Sequence, residues 1–366
     1  MSGVNRGREN RRRIFGLDVL RIICALLIYG RHSITMFGCT YGTVWDQKII
    51  DTTAFVMTCF FILSGFSLYY VNRNRDIFGR EGHGLICFYI KRMLSILPAY
   101  YLIHVVWLVF HKELWADWIF LTPTELTGMQ AAYQSLFGIL HNGGTWFVSC
   151  IMICYFIYPL LQEILANMSL KAKGILLGMT YLICVYSYFV VARFQLAGNY
   201  SNPFFRALEF AFGVILASVL TENADWKNIV KKKKISAALF VLCMGCFFAW
   251  GYRRLGRVYF IQTIMCLPLV AAAIVCSYLI RSRHLENSRI LLYCSSISYH
   301  FFLVQIFLWD LTKMIMDRFG LDGNRYKIMV SFGVCFMLAS LIYELFDKPV
   351  QKIIKKIMDN KTEKTI

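Results

Sequence analysis

Charge is what this sequence has little of. Lys, Arg, Asp and Glu make up 16% of its 366 residues, against about 25% in an ordinary soluble domain, which argues against a water-soluble globule. Acidic residues are the scarcer sign, 21 against 39 basic ones. Only 6 prolines occur, and no low-complexity tract, which excludes long disordered segments, whose composition is polar and charge-rich. No internal repeat is visible, although inverted repeats are expected of many transporters. Histidines at ligand-like spacing are also lacking, and Cys243 and Cys246 have the CxxC spacing but no second pair to complete a four-ligand site. No metal is therefore expected. Among 13 cysteines Cys39 is the only clear extracytoplasmic candidate, so no external disulfide is expected either.

What fills the chain is apolar: 58% of it is hydrophobic. Runs long enough to cross a bilayer fall at 15–37, 51–71, 94–110, 145–165, 174–192, 204–221, 235–251, 258–280, 290–312 and 327–346. With the N-terminus cytoplasmic, 26 Lys and Arg lie on that side and 10 on the other, the bias of the positive-inside rule. The expected fold is an all-α integral membrane bundle of about ten transmembrane helices with both termini cytoplasmic. Residues 1–13 form a basic tail, 14–348 the membrane domain and 349–366 a basic C-tail. The net charge of +18 then reports topology and attraction to anionic membrane lipids, not nucleic acid, for which no reading module is present. The first span is too long for a cleaved signal peptide and carries Asp18, Arg21, Arg31 and His32. Residues 118–140, interrupted by Pro123, Gly128 and Gly138, suit an interfacial piece, and 85–92 an amphipathic lead-in to the third span. Tyr69, Tyr70, Tyr100, Tyr101, Tyr186, Tyr188 and Tyr252 are expected as aromatic-belt residues.

Ionisable residues inside spans are costly and mark function or a pairing that serves it. Asp18 and Arg21 share a helical face three positions apart, the spacing of an ion pair and equally of a structural anchor. His32 lies fourteen residues further, about 21 Å along the axis, in the outer half of the membrane. Arg206 and Glu209, one turn apart near the outer end of the sixth span, either pair with each other or serve a site at the depth of His32. Trp146, at the mouth of the fourth span, suits either an aromatic belt or stacking on a sugar ring.

The run from Arg13 through Asp18 and Arg21, then ten residues and His32, resembles the opening of the membrane-bound acyltransferase-3 family. The family's second-helix FFxLSGF signature resembles Phe60 to Phe66, its basic third-helix start Tyr89 to Tyr100, and its fourth-helix pattern Trp146, Phe147, Tyr155 and Pro159. Pro203 to Gly213, Ile297-Ser298-Tyr299 and Asp347-Lys348-Pro349 resemble the later motifs, so the likeness runs over roughly 13–350. Ser95 stands where many members have a second arginine after Arg92, Ile151 and Met152 where they have an acidic pair, and Gln305 where they have a histidine, with His300 one turn earlier. These departures resemble the surface-polysaccharide O-acetyltransferase branch, without an appended esterase-like domain.

The resemblance implies an enzyme of the plasma membrane of a bacterium that moves an acyl group, acetyl above all, from cytoplasmic acyl-CoA to a hydroxyl of a surface or lipid-linked glycan, with acetyl-CoA as substrate and no bound cofactor. His32, Arg21, Asp18 and Glu209 would be catalytic; Arg92, Lys91 and Ser64 would bind the donor; Arg206, Trp146 and Tyr155 the acceptor. A neutral imidazole suits the removal of a hydroxyl proton, and a transient acyl-imidazole is the alternative route. The reading from another class is a membrane transporter of a glycan precursor or small molecule, since a buried polar path fits it too. Reporter fusions check the charge argument: fusions at Lys233 and Lys361 should both report the cytoplasm and one at Glu125 the outside, whereas opposite faces for the two lysines would mean an odd number of spans.

Overall fold

A computed structural model describes residues 13–78, 83–111, 122–127, 146–194, 201–222, 238–239, 241–242, 259–280 and 282–363. Among these every regular element is helical: α1 (Phe15–Phe37), α2 (Thr43–Asn72), α3 (His83–Leu94), α4 (Leu97–His111), α5 (Thr122–Leu126), α6 (Trp146–Ala166), α7 (Leu170–Phe194), α8 (Pro203–Glu222), α9 (Tyr259–Leu279), α10 (Arg283–Glu286), α11 (Arg289–Leu303), α12 (Leu308–Phe319), α13 (Asn324–Ile342) and α14 (Lys348–Glu363). A 3₁₀ turn, Val304–Ile306, follows α11, and a π-helical stretch, Tyr343–Asp347, joins α13 to α14. Six spans are long and apolar enough to cross a bilayer, eight if each of two bent pairs counts as one. Of the ten expected, 235–251 lies almost wholly outside the described residues, as do Cys243, Cys246 and most of 118–140. In 258–280 the described apolar run is Cys266–Leu279.

Two expected spans are not straight: 51–71 lies on α2, which bends by 43° between Thr53 and Val56, and 290–312 turns more sharply. The chain turns by 89° between α11 and α12, so 290–312 does not run through as a single rod. Composition gives the reason. α12 buries Leu308, Trp309, Thr312 and Met316 on one face and exposes Asp310, Lys313, Asp317 and Arg318 on the other, a pattern that suits the interface and not the hydrocarbon. Its Trp309 ring lies 5.9 Å from Tyr29 and 5.6 Å from Phe37, and Gly320, at φ 61°, supplies the left-handed cap that ends it. The aromatic-belt expectation fails for Tyr69 and Tyr100, which are buried in the core. The Tyr100 hydroxyl donates to the Glu125 carbonyl at 2.7 Å.

At the centre, α2 and α8 approach backbone to backbone. A Cβ at Gly65 would overlap the carbonyl oxygen of Phe210, and one at Gly213 would overlap that of Ile62. Small residues at such crossings let helices gain dispersion contact in lipid, where no hydrophobic difference drives them together. Phe61, Ile62 and Phe66 of α2 and Phe210 and Val214 of α8 are fully buried around the crossing. Gly65→Ala and Gly213→Ala should each cost about 1–3 kcal/mol by overpacking, read as a lower Tm of the purified protein. Gly174→Ala, at an open position of α7 with nothing within 4 Å, should leave Tm unchanged or raised.

Candidate active site

The first helix carries its charged residues into a network that ties it to α11 and α2. The Asp18 carboxylate accepts from Arg13 Nε at 2.8 Å, Arg21 Nη1 at 3.2 Å and Ser295 Oγ at 2.7 Å. Arg13 also donates to the carbonyls of Glu286 and Ser288, and Arg21 Nη2 to Ser67 Oγ at 2.7 Å. A buried carboxylate is tolerable only when its oxygens are met in this way. The consequence for the site is that Arg21 is fixed at two points, Asp18 and Ser67, and lines the interior.

It faces a cavity of about 250 Å³. Arg21 and Ile28 of α1, Met57, Phe60 and Ser64 of α2, and Phe147, Ile151 and Tyr155 of α6 form much of the wall. Ser95 and Ile96, between α3 and α4, also line it, as do Ser296, Ser298, Tyr299, His300 and Phe302 of α11, and Asp347. The level of Arg21 is polar, and the apolar part rises along α1 to Ile28, one turn before His32. The cavity therefore gathers three of the expected residues, Arg21, Ser64 and Tyr155. Arg92 stands at its flank, with its guanidinium 5.8 Å from the rings of Phe88 and Tyr155; Lys91 is exposed.

His32 meets a partner from α11's end: its Nδ1 lies 2.8 Å from Gln305 Oε1. The amide's orientation is fixed by its other end, since Gln305 Nε2 donates to the Phe301 carbonyl at 2.9 Å. The oxygen must then accept, Nδ1 must carry the proton, and Nε2 keeps its lone pair. That is the tautomer a general base needs.

Arg206 and Glu209 form a unit of their own. Arg206 Nη1 donates to Glu209 Oε2 at 2.6 Å and to Thr58 Oγ1 at 3.1 Å, and Thr58 Oγ1 donates to Glu209 Oε1 at 2.9 Å. The guanidinium lies 5.5 Å from the Phe61 ring and 5.7 Å from that of Trp146, and Trp146 itself is buried. The structure thus brings Gln305, not Glu209, to His32, and seats Arg206 against Thr58, the residue next to cavity-lining Met57, with Trp146 against Phe61. Reasoning from the sequence passed over Ser295, Ser67 and Thr58, because a hydroxyl among apolar residues carries no periodic signal. It also left Gln305, His300 and Asp347 without partners, because 273 positions separate His32 from Gln305 and only the fold closes that gap.

A bundle of bilayer-length apolar helices around a polar-lined cavity is a multi-pass membrane protein. Comparison of the sequence gives its family: the acyltransferase-3 model, described as an acyltransferase domain, matches residues 14–344, and the chain belongs to that family. It is accordingly an enzyme, an acyltransferase. No curated protein and no solved structure matches it. Asp18→Asn should lower stability by about 2–3 kcal/mol, since two part-exposed cations lose their counter-charge, and by more than Ser295→Ala, which removes one donor. Thermal unfolding of both variants measures the order.

Proposed function

We propose that this acyltransferase carries an acyl group, acetyl above all, from cytoplasmic acyl-CoA to a hydroxyl of a surface or lipid-linked glycan, with His32 at the point of transfer. The observation that carries the reading is the pairing of His32 with Gln305 above a cavity that is polar beside Arg21 and apolar toward Ile28. A thioester made in the cytoplasm and a hydroxyl presented outside need a meeting place inside the membrane, and a narrow arm can reach one along such a cavity.

In the direct route the acceptor oxygen forms a bond to the thioester carbonyl carbon as its proton passes to His32 Nε2. The carbon–sulfur bond then breaks and CoA leaves as a thiolate, which takes up the proton. General-base help of this kind is worth about 10²–10⁴-fold. In the two-step route the same lone pair attacks the thioester carbonyl and CoA leaves as a thiolate; the acceptor hydroxyl then attacks the acyl-imidazole, the acyl–nitrogen bond breaks, and the hydroxyl proton ends on the thiolate. Gln305 serves both, because it holds the ring by Nδ1 and leaves Nε2 directed elsewhere. Arg21 presents positive charge to the donor, and Arg92 with Lys91, on the side where Lys and Arg accumulate, suits CoA phosphates through charge-assisted hydrogen bonds. Tyr155 and Ser64 add polar contacts along the cavity. Arg206, Glu209 and Trp146 hold α2 behind the site, so their influence on the acceptor runs through the placement of Met57 and Phe60.

The test is thiol release from acetyl-CoA by purified protein supplied with lipid-linked glycans from its own cells. His32→Ala should lose at least about 10²-fold in rate while inserting and accumulating normally, and Gln305→Leu should fall between that variant and wild type. A wild-type rate in His32→Ala would overturn the role given to this residue, and transport of glycan without thiol release would favour the transporter reading.

A further inference from the structure

The end of the cavity nearer His32 is walled by apolar side chains from four helices: Ile28 of α1, Met57 of α2, Phe147 of α6 and Phe302 of α11. Their common level follows from the contacts around them. Phe302 stands three residues before Gln305 and Ile28 four before His32, and the bond between His32 and Gln305 sets the two helices in register. Phe147 meets Phe302 edge to face with ring centroids 5.7 Å apart, and meets Phe60 at 6.3 Å. Met57 lies one turn of α2 from Phe60 on the same cavity wall. These four side chains form a collar.

The collar stands between the polar part of the cavity and the reacting imidazole. Four residues of helix from Ile28 to His32 amount to about 6 Å. A donor that enters beside Arg92 and Arg21 and reaches His32 brings its acyl group first, because the sulfur and the arm trail behind the carbonyl carbon. Whatever that acyl group is, it passes the collar before the reacting carbon arrives.

Nothing in the collar meets a charge. Its side chains are hydrocarbon apart from the Met57 thioether, which is only a weak acceptor. Among the described residues that line the cavity, Arg21 is the one guanidinium or ammonium and Asp347 the one carboxylate. Arg21 stands seven residues before Ile28, about 10 Å along the axis, and its Nη1 and Nη2 are turned to Asp18 and Ser67. Asp347 presents a like charge to any carboxylate on the way in. An ionised group brought to the collar therefore loses its water and gains no partner, which is costly. An apolar group gains from the same burial.

We propose that this collar selects the donor by its acyl group, admitting uncharged chains and turning away those that end in a carboxylate, such as succinyl. This rests on the acyl-CoA reading given above. Ile28, Met57, Phe147 and Phe302 are then specificity-determining residues. Selection is a difference between two donors, and here it comes from what the wall withholds from one of them.

The test is thiol release by the purified full-length protein, with lipid-linked glycans from its own cells, from succinyl-CoA and from 4-methylpentanoyl-CoA, whose isopropyl end has the shape of the carboxylate without its charge. Acetyl-CoA is the reference. For the wild type, kcat/KM should be at least about 10²-fold lower with succinyl-CoA than with 4-methylpentanoyl-CoA, as for a buried charge without a partner. Met57→Lys exchanges one unbranched chain for another with a cation at its end, and should close that gap to within about tenfold. A wild-type gap below about tenfold overturns the collar, as does a Met57→Lys gap equal to that of the wild type. Should Met57→Lys not accumulate, Met57→Gln carries the comparison: its amide can donate to the carboxylate and should narrow the gap about tenfold, the worth of a hydrogen bond to a charged group, and an unchanged gap overturns the proposal. Use of acetyl-CoA with neither longer donor would overturn selection by charge in favour of selection by size. Release of thiol from none of the three overturns the acyl-CoA reading itself, which separates the two failures.

Discussion

The contact between α2 and α8 at Gly65 and Gly213 sets the position of everything that lines the site. Because each glycine meets the other helix's backbone, α2 cannot be displaced along or away from α8 without losing dispersion contact over its length. From that fixed rod Met57, Phe60 and Ser64 face the cavity, and Thr58 faces Arg206 and Glu209. Two faces of one helix thus separate a cavity from a tightly knit ion pair. A shift of α2 would disturb both together.

Burial of charge is the second constraint, and it sorts the ionisable residues by what they can still do. Arg206 and Glu209 satisfy each other, as do Lys173 and Glu222 toward the far end of α8. Asp18 is saturated by three donors. Such groups act mainly by holding helices in place, for in a low-dielectric interior a partner removed costs more than the pair is worth. Arg21 and His32 differ: each keeps part of its hydrogen-bonding capacity toward the cavity or the space above it. The same physics that makes unpaired polar groups expensive leaves these two as groups still able to take a partner.

How much of this could be read from the sequence varies by feature. The bounds of α1, 15–37, follow from apolar length and are found as such, and the Asp18–Arg21 pair follows from helical periodicity. Gly65 and Gly213 stand within recognisable motifs, but their mutual contact is tertiary and leaves no local trace. The straight span expected at 290–312 fails because hydropathy averaging blends the buried face of α12 into a run whose other face is charged. Gln305 is the clearest case of what a sequence withholds. Its side chain is one neutral amide among many polar groups, and only the approach of α11 to the upper part of α1 makes it the residue that sets a proton on one nitrogen of His32 and not the other.

The turn between α11 and α12 has a mechanical consequence. An amphipathic helix lying in the interface behaves as a float, since lifting or sinking it exposes apolar surface to water or buries charge. Through Trp309 against Tyr29 and Phe37 this float is fastened to the upper part of α1, three residues before His32 and five after it. A bilayer that thickens or thins must accommodate its hydrophobic mismatch by tilt or local deformation, and the fastening directs that accommodation to the opposite end of the bundle. The depth of His32 is thereby referenced to one leaflet's surface, whatever the thickness of the membrane beneath.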